Sequence, residues 1–389
     1  MKIALVCALN FDKNPGMVSV DRAAINFFSG RDVQIDWFFV GGTGQNNPGA
    51  DDLFDFTSIF EAEGYPKKYD RIIFWGDFLQ SYVHHESLIP MVLNEGYASN
   101  THQARKLLRS LLLFENASQE ILSKVVICGS SIHADGVGML MDENFKVALV
   151  RLLAGARSVR MREPLSAYRA TILSGRDETV GLDMAFLSIL NNSWNVEAEM
   201  RRRNGPVRIA VVGGRSRHGR KLKFSALATM GAFKKAGIKA VLEILPWLSN
   251  GLGRWGWFSV ETPSLIRSPD YCFERLNACD ALITDVYHAA INAWIIGIPV
   301  ILLGSGAELD STAIMSKKKE LLSLSLFAGE NYLFLENISY FQYSKIGQLL
   351  YKKITSEEEN KAIFDQRKRD VTWFWRRLEA EIGLPPQSG

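Results

Sequence analysis

"TDVYHAAINAWIIGIPVILL", residues 284–303, decides how this chain folds. The short apolar run "CDALI" (279–283) precedes it, and it closes on "IPVILL", a run rich in β-branched residues. Between the two, Ala and Ile recur at helical spacing up to Gly297, a residue suited to ending a helix. The stretch therefore reads as strand, helix, strand. In such a unit the carboxyl end of the strand and the first helical turn face the ligand crevice, because the first-turn N–H groups and the positive end of the helix point there. His288 stands at that turn, and histidine is the side chain best suited to exchanging protons near neutral pH.

The same alternation runs along the rest of the chain. "KIALVCAL" (2–9), "VQIDWFFVG" (33–41), "RIIFWG" (71–76), "KVVICG" (124–129) and "ARSVRM" (156–161) read as strands of a first half. "VRIAVVGG" (207–214), "KAVLEILP" (239–246), "ALITD" (281–285), "PVILLG" (299–304) and "YLFL" (332–335) read as strands of a second, with a helix through "FSALATMGAFKKAG" (224–237). Strands alternating with helices imply parallel sheets covered on both faces. The polar stretch "NNSWNVEAEMRRRNGP" (191–206) interrupts the pattern and reads as a linker. The expected organisation is a first Rossmann-like domain at 1–190, the linker at 191–206, a second Rossmann-like domain at 207–355, and a C-terminal segment at 356–389. Residues 356–382 have acidic side chains in their first turns and an apolar stripe of Phe364, Val371, Phe374, Trp375 and Leu378. They are expected to form one long helix that crosses back to the first domain. The fold class is thus α/β, two doubly wound domains facing a central cleft, the layout of GT-B glycosyltransferases.

Composition narrows the classes of function. With 389 residues, 47% hydrophobic and 22% charged, the chain has the balance of an ordinary folded protein of two domains. A formal charge of +3 is too small to imply nucleic acid, so an anionic ligand must be held by local Lys and Arg clusters. Cys7, Cys128, Cys272 and Cys279 have no CxxC pairing and read as buried thiols in a reducing compartment. "MKIALVCALNFDKNPG" is too short for a signal h-region and reads as the first strand of a cytoplasmic protein. No His, Cys or carboxylate cluster has metal spacing, and "HH" at 84 and 85 lacks local partners, so neither an essential metal nor a cofactor is expected.

Three stretches, taken in order, resemble the polysaccharide pyruvyltransferase family. "SVRMREPLSAYRATILSG" (158–175) has an Arg-acid pair ending a strand and a Ser three residues on, here Arg162, Glu163 and Ser166. "GLDMAFL" (181–187) is similar to the family's short strand ending in Asp and an Ala-Phe pair, here Asp183, Ala185 and Phe186. Residues 284–303 have the acidic strand end, the His-Ala and the Gly-x-Pro. The chain departs from the pattern at Val286, where Arg or Ser is usual, and at "NPGMVSVD" (14–21), where a Gly-Asp is usual. The resemblance implies transfer of a pyruvyl group from phosphoenolpyruvate to sugar hydroxyls of a surface-glycan precursor, on a lipid carrier or free, with release of phosphate.

On that reading, Arg162 is expected to bind the donor's carboxylate or phosphate in bidentate fashion. His288 would deliver a proton to the methylene carbon or to the leaving phosphate. Glu163 would take the acceptor's proton, with Asp183 in support, and Asn14 would sit on the acceptor side. A salt bridge for Arg162, a strand-end cap for Asp183 and a capping or core role for His288 are the structural alternatives. In "GGRSRHGRKLK" (213–223) the glycines, Arg215, Arg217 and Lys221 would cradle a phosphate, or form a solvated basic loop. "PWLSNGLGRWGWF" (246–258) places Trp247, Trp255 and Trp257 beside Arg254. Trp255 and Trp257 would stack on acceptor sugars, the loop would rest on anionic headgroups at the inner membrane face, or the rings would pack inward. Two other functions fit the same residues: a GT-B glycosyltransferase using a nucleotide sugar, and a non-catalytic glycan-binding protein.

Overall fold

The computed structural model describes residues 1–7, 14–41, 56–76, 79–132, 142–178, 180–192, 205–213, 219–245, 247, 269–304, 332–334 and 343–384. The chain forms two compact units. The first holds Met1–Phe11, Val20–Met184 and Trp373–Gly389, and the second holds Asp12–Ser19 and Ala185–Thr372.

In the first unit the elements run β1 (Lys2–Cys7), α1 (Pro15–Phe28), β2 (Gln34–Phe39), β3 (Thr57–Ser58), β4 (Arg71–Trp75), α2 (Tyr82–Asn94), α3 (Thr101–Leu112), α4 (Gln119–Leu122), β5 (Val125–Ser130), α5 (Glu143–Gly155), β6 (Ser158–Met161) and α6 (Pro164–Ser174). The strands pair in parallel in the order β3-β2-β1-β4-β5-β6. This is the doubly wound order, with the reversal between β1 and β4. The central strands are written as apolar runs because both faces are covered: Ile3 to Cys7, Ile72 to Trp75 and Val125 to Cys128 are all fully buried. Side chains start the helices, as Asn100 accepts from Gln103 N at 3.0 Å and Asp142 from Phe145 N at 3.0 Å. Gly76, with φ +77°, ends β4 where the Val20 side chain comes within 2.8 Å of where a Cβ would stand.

In the second unit the elements are β7 (Val207–Val212), α7 (Gly219–Lys235), β8 (Ala240–Ile244), α8 (Pro269–Asn277), β9 (Ala281–Thr284), α9 (Tyr287–Ile295), β10 (Val300–Gly304), β11 (Tyr332–Phe334) and α10 (Tyr343–Thr355). The parallel order is β11-β10-β9-β7-β8, with the reversal between β7 and β9. Its core joins Ile209, Val211, Ile283, Ile301 and Leu303 of the sheet to Phe233, Ile346 and Leu350 of the helices. Eight of the nine residues of α9 are buried, which accounts for a helix apolar on every side.

The last helix, α11 (Glu357–Ile382), belongs to the second unit through Thr372 and to the first from Trp373. Its closing turns are fastened by charge. Arg160 and Arg377 reach Glu381, Ser158 donates to the same carboxylate at 2.6 Å, Arg31 pairs with Glu379, and Arg71 Nε donates to Ile382 O at 2.7 Å. Burial alone would raise the Glu381 carboxyl, but the bonds from Arg160 and Ser158 outweigh it and hold the group below its usual range. The apolar stripe expected in this helix is buried at Phe364, Val371, Phe374 and Leu378, while Trp375 packs its ring 4.7 Å from Phe27.

The four cysteines are buried and free. No helix among the described residues is long and apolar enough to cross a membrane. Trp247 is 2% exposed, packed edge-on to Phe273 at 5.9 Å, so it takes the inward position and is not part of a membrane-facing rim. Trp255, Trp257, Arg254, Arg215 and Arg217 lie outside the described residues, as does the side chain of Lys221 in the first turn of α7.

His85, in the pair of histidines, is fully buried in α2, with Nε2 donating to Leu79 O at 2.8 Å and the ring edge-on to Phe145. Burial pushes its pKa from 6.5 down to about 3. The neutral ring is the folded form, so the unfolded chain binds the extra proton between these values. Stability is fully present above pH 6.5 and falls by up to ~1.4 kcal/mol per pH unit towards pH 3. Denaturant midpoints measured across this range are expected to fall less steeply in His85→Gln than in the parent; parallel slopes would contradict the assignment.

Candidate functional site

Within the second unit the strand order reverses between β7 and β9, the place outside the carboxyl ends of the strands where open α/β sheets bind ligands, and the residues that follow β9 stand there. Thr284 ties the two strand ends together. Its hydroxyl donates to Val212 O at 2.9 Å and accepts from Val286 N at 2.9 Å, which turns the chain sharply into α9. Val286 is the N-cap residue, extended at φ −99° and ψ 120°, and makes no side-chain cap hydrogen bond. Valine has no oxygen to offer, so the residue before α9 does not cap its first turn with a side chain. His288 lies in that turn, half-buried, its ring edge-on to Tyr287 at 5.2 Å.

The position of His288 is set by the start of α1, which groups with this unit through Ser19. Gly16 packs against the imidazole so closely that a Cβ there would stand 2.4 Å from His288 Cβ and 2.7 Å from Nδ1. Only glycine fits. One turn further on, Ser19 Oγ donates to Gly16 O at 2.7 Å and accepts from Asn292 Nδ2 at 3.1 Å. Asn292 Nδ2 also donates to His288 O at 2.8 Å. Two helix starts are therefore pinned to each other with the histidine between them. Asn14 starts α1: Oδ1 accepts from Gly16 N at 3.0 Å and its carbonyl accepts from Met17 N and Val18 N. Gly16, Ser19 and Asn292 were not singled out in the sequence, although a lone Asn inside the apolar run "AAINAWII" was a visible signal.

In the first unit the Arg-acid-Ser motif forms a buried polar network at the carboxyl ends of β5 and β6. Arg162 Nη1 pairs with Asp183 Oδ2 at 3.2 Å, and Nε donates to Ser131 Oγ at 3.0 Å. Both ion-pair side chains are about fully buried, at 2% and 1% exposure. Glu163 is the N-cap of α6: Oε2 accepts from Ser166 N at 3.1 Å, while Ser166 Oγ donates to Oε1. Ser166 Oγ also accepts from Ile132 N at 2.9 Å, which fastens the helix start to the end of β5. Beside the network Ser130 Oγ donates to Gln80 Oε1 at 2.5 Å, and Gln80 Nε2 is buried with no hydrogen-bond partner among the described residues. The structure thus brings Arg162 to Asp183 and Glu163 to Ser166 in one unit, and His288 to the start of α1 in the other. No group of three or more His, Cys, Asp or Glu able to hold a metal occurs among the described residues.

No protein-family model matches the sequence, and no curated protein matches it. Among solved structures, the chain is similar to UDP-GlcNAc 2-epimerase from Methanocaldococcus jannaschii, with a TM-score of 0.50 and 11% identity, covering 96% of this chain and 100% of that one. Arabidopsis thaliana UGT89C1 complexed with UDP-L-rhamnose matches at a TM-score of 0.47 and 10% identity, over 98% of each chain. An alpha-glucosyltransferase in complex with UDP matches at 0.44 and 10% identity, over 96% of this chain and 95% of that one. Only the first of these three reaches 0.50, and what it shows is the fold: two Rossmann-like α/β units of the GT-B type.

Two substitutions separate positioning from stability. Gly16→Ala must displace the His288 ring, so turnover is expected to fall at least tenfold in a protein that still unfolds cooperatively; unchanged turnover would show that the ring position is immaterial. Arg162→Ala leaves Asp183 buried with its charge, which costs about 3–5 kcal/mol. A shift of that order in urea unfolding is the expected result, and a stability equal to the parent's would contradict the buried pair.

Proposed function

We propose that the chain is a GT-B-type transferase of surface-glycan synthesis whose donor carries a phosphate, held at the start of α9 beside His288. The favoured donor is a nucleotide sugar. The observation that carries this reading is a histidine in the first turn of α9, positioned by Gly16, at the strand-order reversal of a fold resembling a nucleotide-sugar enzyme along nearly its whole length. A diphosphate gains negative charge as it leaves the sugar. First-turn amides and the positive end of a helix stabilise that charge without reorganising, and an imidazole in reach donates a proton or hydrogen bond to the departing oxygen.

A second reading keeps phosphoenolpyruvate as donor. It is favoured by the order of the motifs around Arg162, Asp183 and His288. In that reaction a proton goes to the methylene carbon, a sugar hydroxyl attacks the adjacent carbon, and inorganic phosphate leaves as the second hydroxyl closes the ketal. The burial of Arg162 against Asp183 removes the guanidinium expected to grip that donor, which is why this reading stands second.

Calorimetric titration distinguishes them. Saturable binding of UDP or UDP-GlcNAc by the parent, weakened at least tenfold in His288→Ala, is the expected result. Binding of phosphoenolpyruvate alone, with release of inorganic phosphate in the presence of glycan acceptors, would replace the first reading by the second. Binding of neither donor would overturn both. In turnover, His288→Ala is expected to cost about 10²- to 10⁴-fold, the usual worth of a positioned acid or base.

A further inference from the structure

The second unit carries its charge unevenly. Lys and Arg number 45 along the chain against 42 Asp and Glu, close to balance, yet the two helices that cover one face of the second sheet, α7 and α10, contain no Asp or Glu at all. They lie almost backbone to backbone, since a Cβ on Gly347 of α10 would stand 2.7 Å from Ala232 Cβ and 2.8 Å from Thr229 Cα of α7. Their outer sides therefore form one continuous surface. On it Lys234, Lys235, Lys345 and Lys352 are exposed, and exposed Lys239 follows just before β8. The acidic run Glu357–Glu359 lies past the end of α10, in the first turn of α11, where Glu359 pairs with Lys353.

The same surface carries an apolar stripe. α7 buries Leu222, Ala226 and Phe233 in the core of the sheet, while Phe224 and Leu227 on its outer side are 45% and 43% exposed. Gly231 continues the stripe four residues after Leu227, with nothing within 4 Å of where its Cβ would stand. Lys234 and Lys235 follow one turn on, so apolar and cationic side chains share a face roughly 16 Å long from Phe224 to Lys235. A second copy of the chain is a poor occupant for it. Two such copies would bring all-basic helices together, and two half-exposed apolar side chains fall far short of the roughly 800 Å² per partner that a stable dimer buries. An anionic bilayer matches both features: apolar side chains enter the headgroup region, while lysine stems lie along it and their ammonium groups reach lipid phosphates.

We propose that the outer face of α7 and α10 docks on an anionic bilayer surface, with Phe224 and Leu227 in the headgroup region and Lys234 and Lys235 on lipid phosphates. This contact does not depend on which donor is bound at His288. Co-sedimentation of the full chain with vesicles of phosphatidylglycerol and phosphatidylcholine tests it, alongside vesicles of phosphatidylcholine alone. Binding to the first and not to the second, weakened by added salt, is the expected result. Lys234→Gln combined with Lys235→Gln is expected to lower partitioning roughly tenfold or more, and Leu227→Ser about fivefold, with unfolding transitions like the parent's. If one variant does not fold, the other carries the test. No binding to the anionic vesicles, equal binding to the neutral ones, or folded variants that bind like the parent would overturn the proposal. A dimer in sedimentation velocity that Leu227→Ser dissociates would overturn it too, and would assign the face to a second copy.

Discussion

The contact between Gly16 and the His288 ring is the constraint on which the candidate site depends. A histidine at a helix start is free to take several rotamers, and nothing in α9 alone would choose among them. The backbone of α1, less than a side chain away, removes that freedom, and the Ser19–Asn292 bond keeps the two helices from sliding apart. A residue near the amino end of the chain thereby sets the geometry of a residue 272 positions later, by the numbering of Gly16 and His288. Val286, the residue before α9, offers that turn no side-chain oxygen as a cap.

The first unit uses the same chemistry to the opposite end. Arg162, Asp183, Glu163 and Ser166 are residue types that catalytic sites favour, yet here charge meets charge and the carboxylate meets a helix start. Burying such a pair is at best neutral in energy, so its worth lies in what it fixes: the end of β6, the start of α6 and the chain at Asp183 are tied to one another. The carboxyl end of α11 is held in a similar way by Arg160, Arg377 and Ser158 on Glu381.

The strands were legible because parallel strands covered on both faces are written as unbroken apolar runs, so that "KVVICG" and "PVILLG" map onto β5 and β10 within a residue. The long helix at 356–382 was legible from its acidic start and its stripe, and begins at Glu357. The two-residue strand β3 was not, because it has too few side chains to show a period. His288 was legible as a residue at a strand-to-helix turn; Gly16 as its neighbour was not, since a close approach between distant segments leaves no local pattern. A salt bridge for Arg162 stood among the alternatives, but Asp183 could not be chosen as its partner from spacing, because 21 residues of chain leave the distance open. Trp247 in a Gly-rich stretch suggested an exposed ring, and packing against Phe273 decided otherwise.

The central claim is that the imidazole of His288 meets the donor's phosphate at the start of α9. Nitrogen-15 NMR of the histidine rings, with the His288 signal assigned by its loss in His288→Gln, tests this directly during titration with UDP-GlcNAc. The account expects the His288 ring signals to shift saturably, in step with the calorimetric binding curve, while the buried His85 signals stay in place. Donor binding that leaves the His288 ring signals unmoved would contradict it.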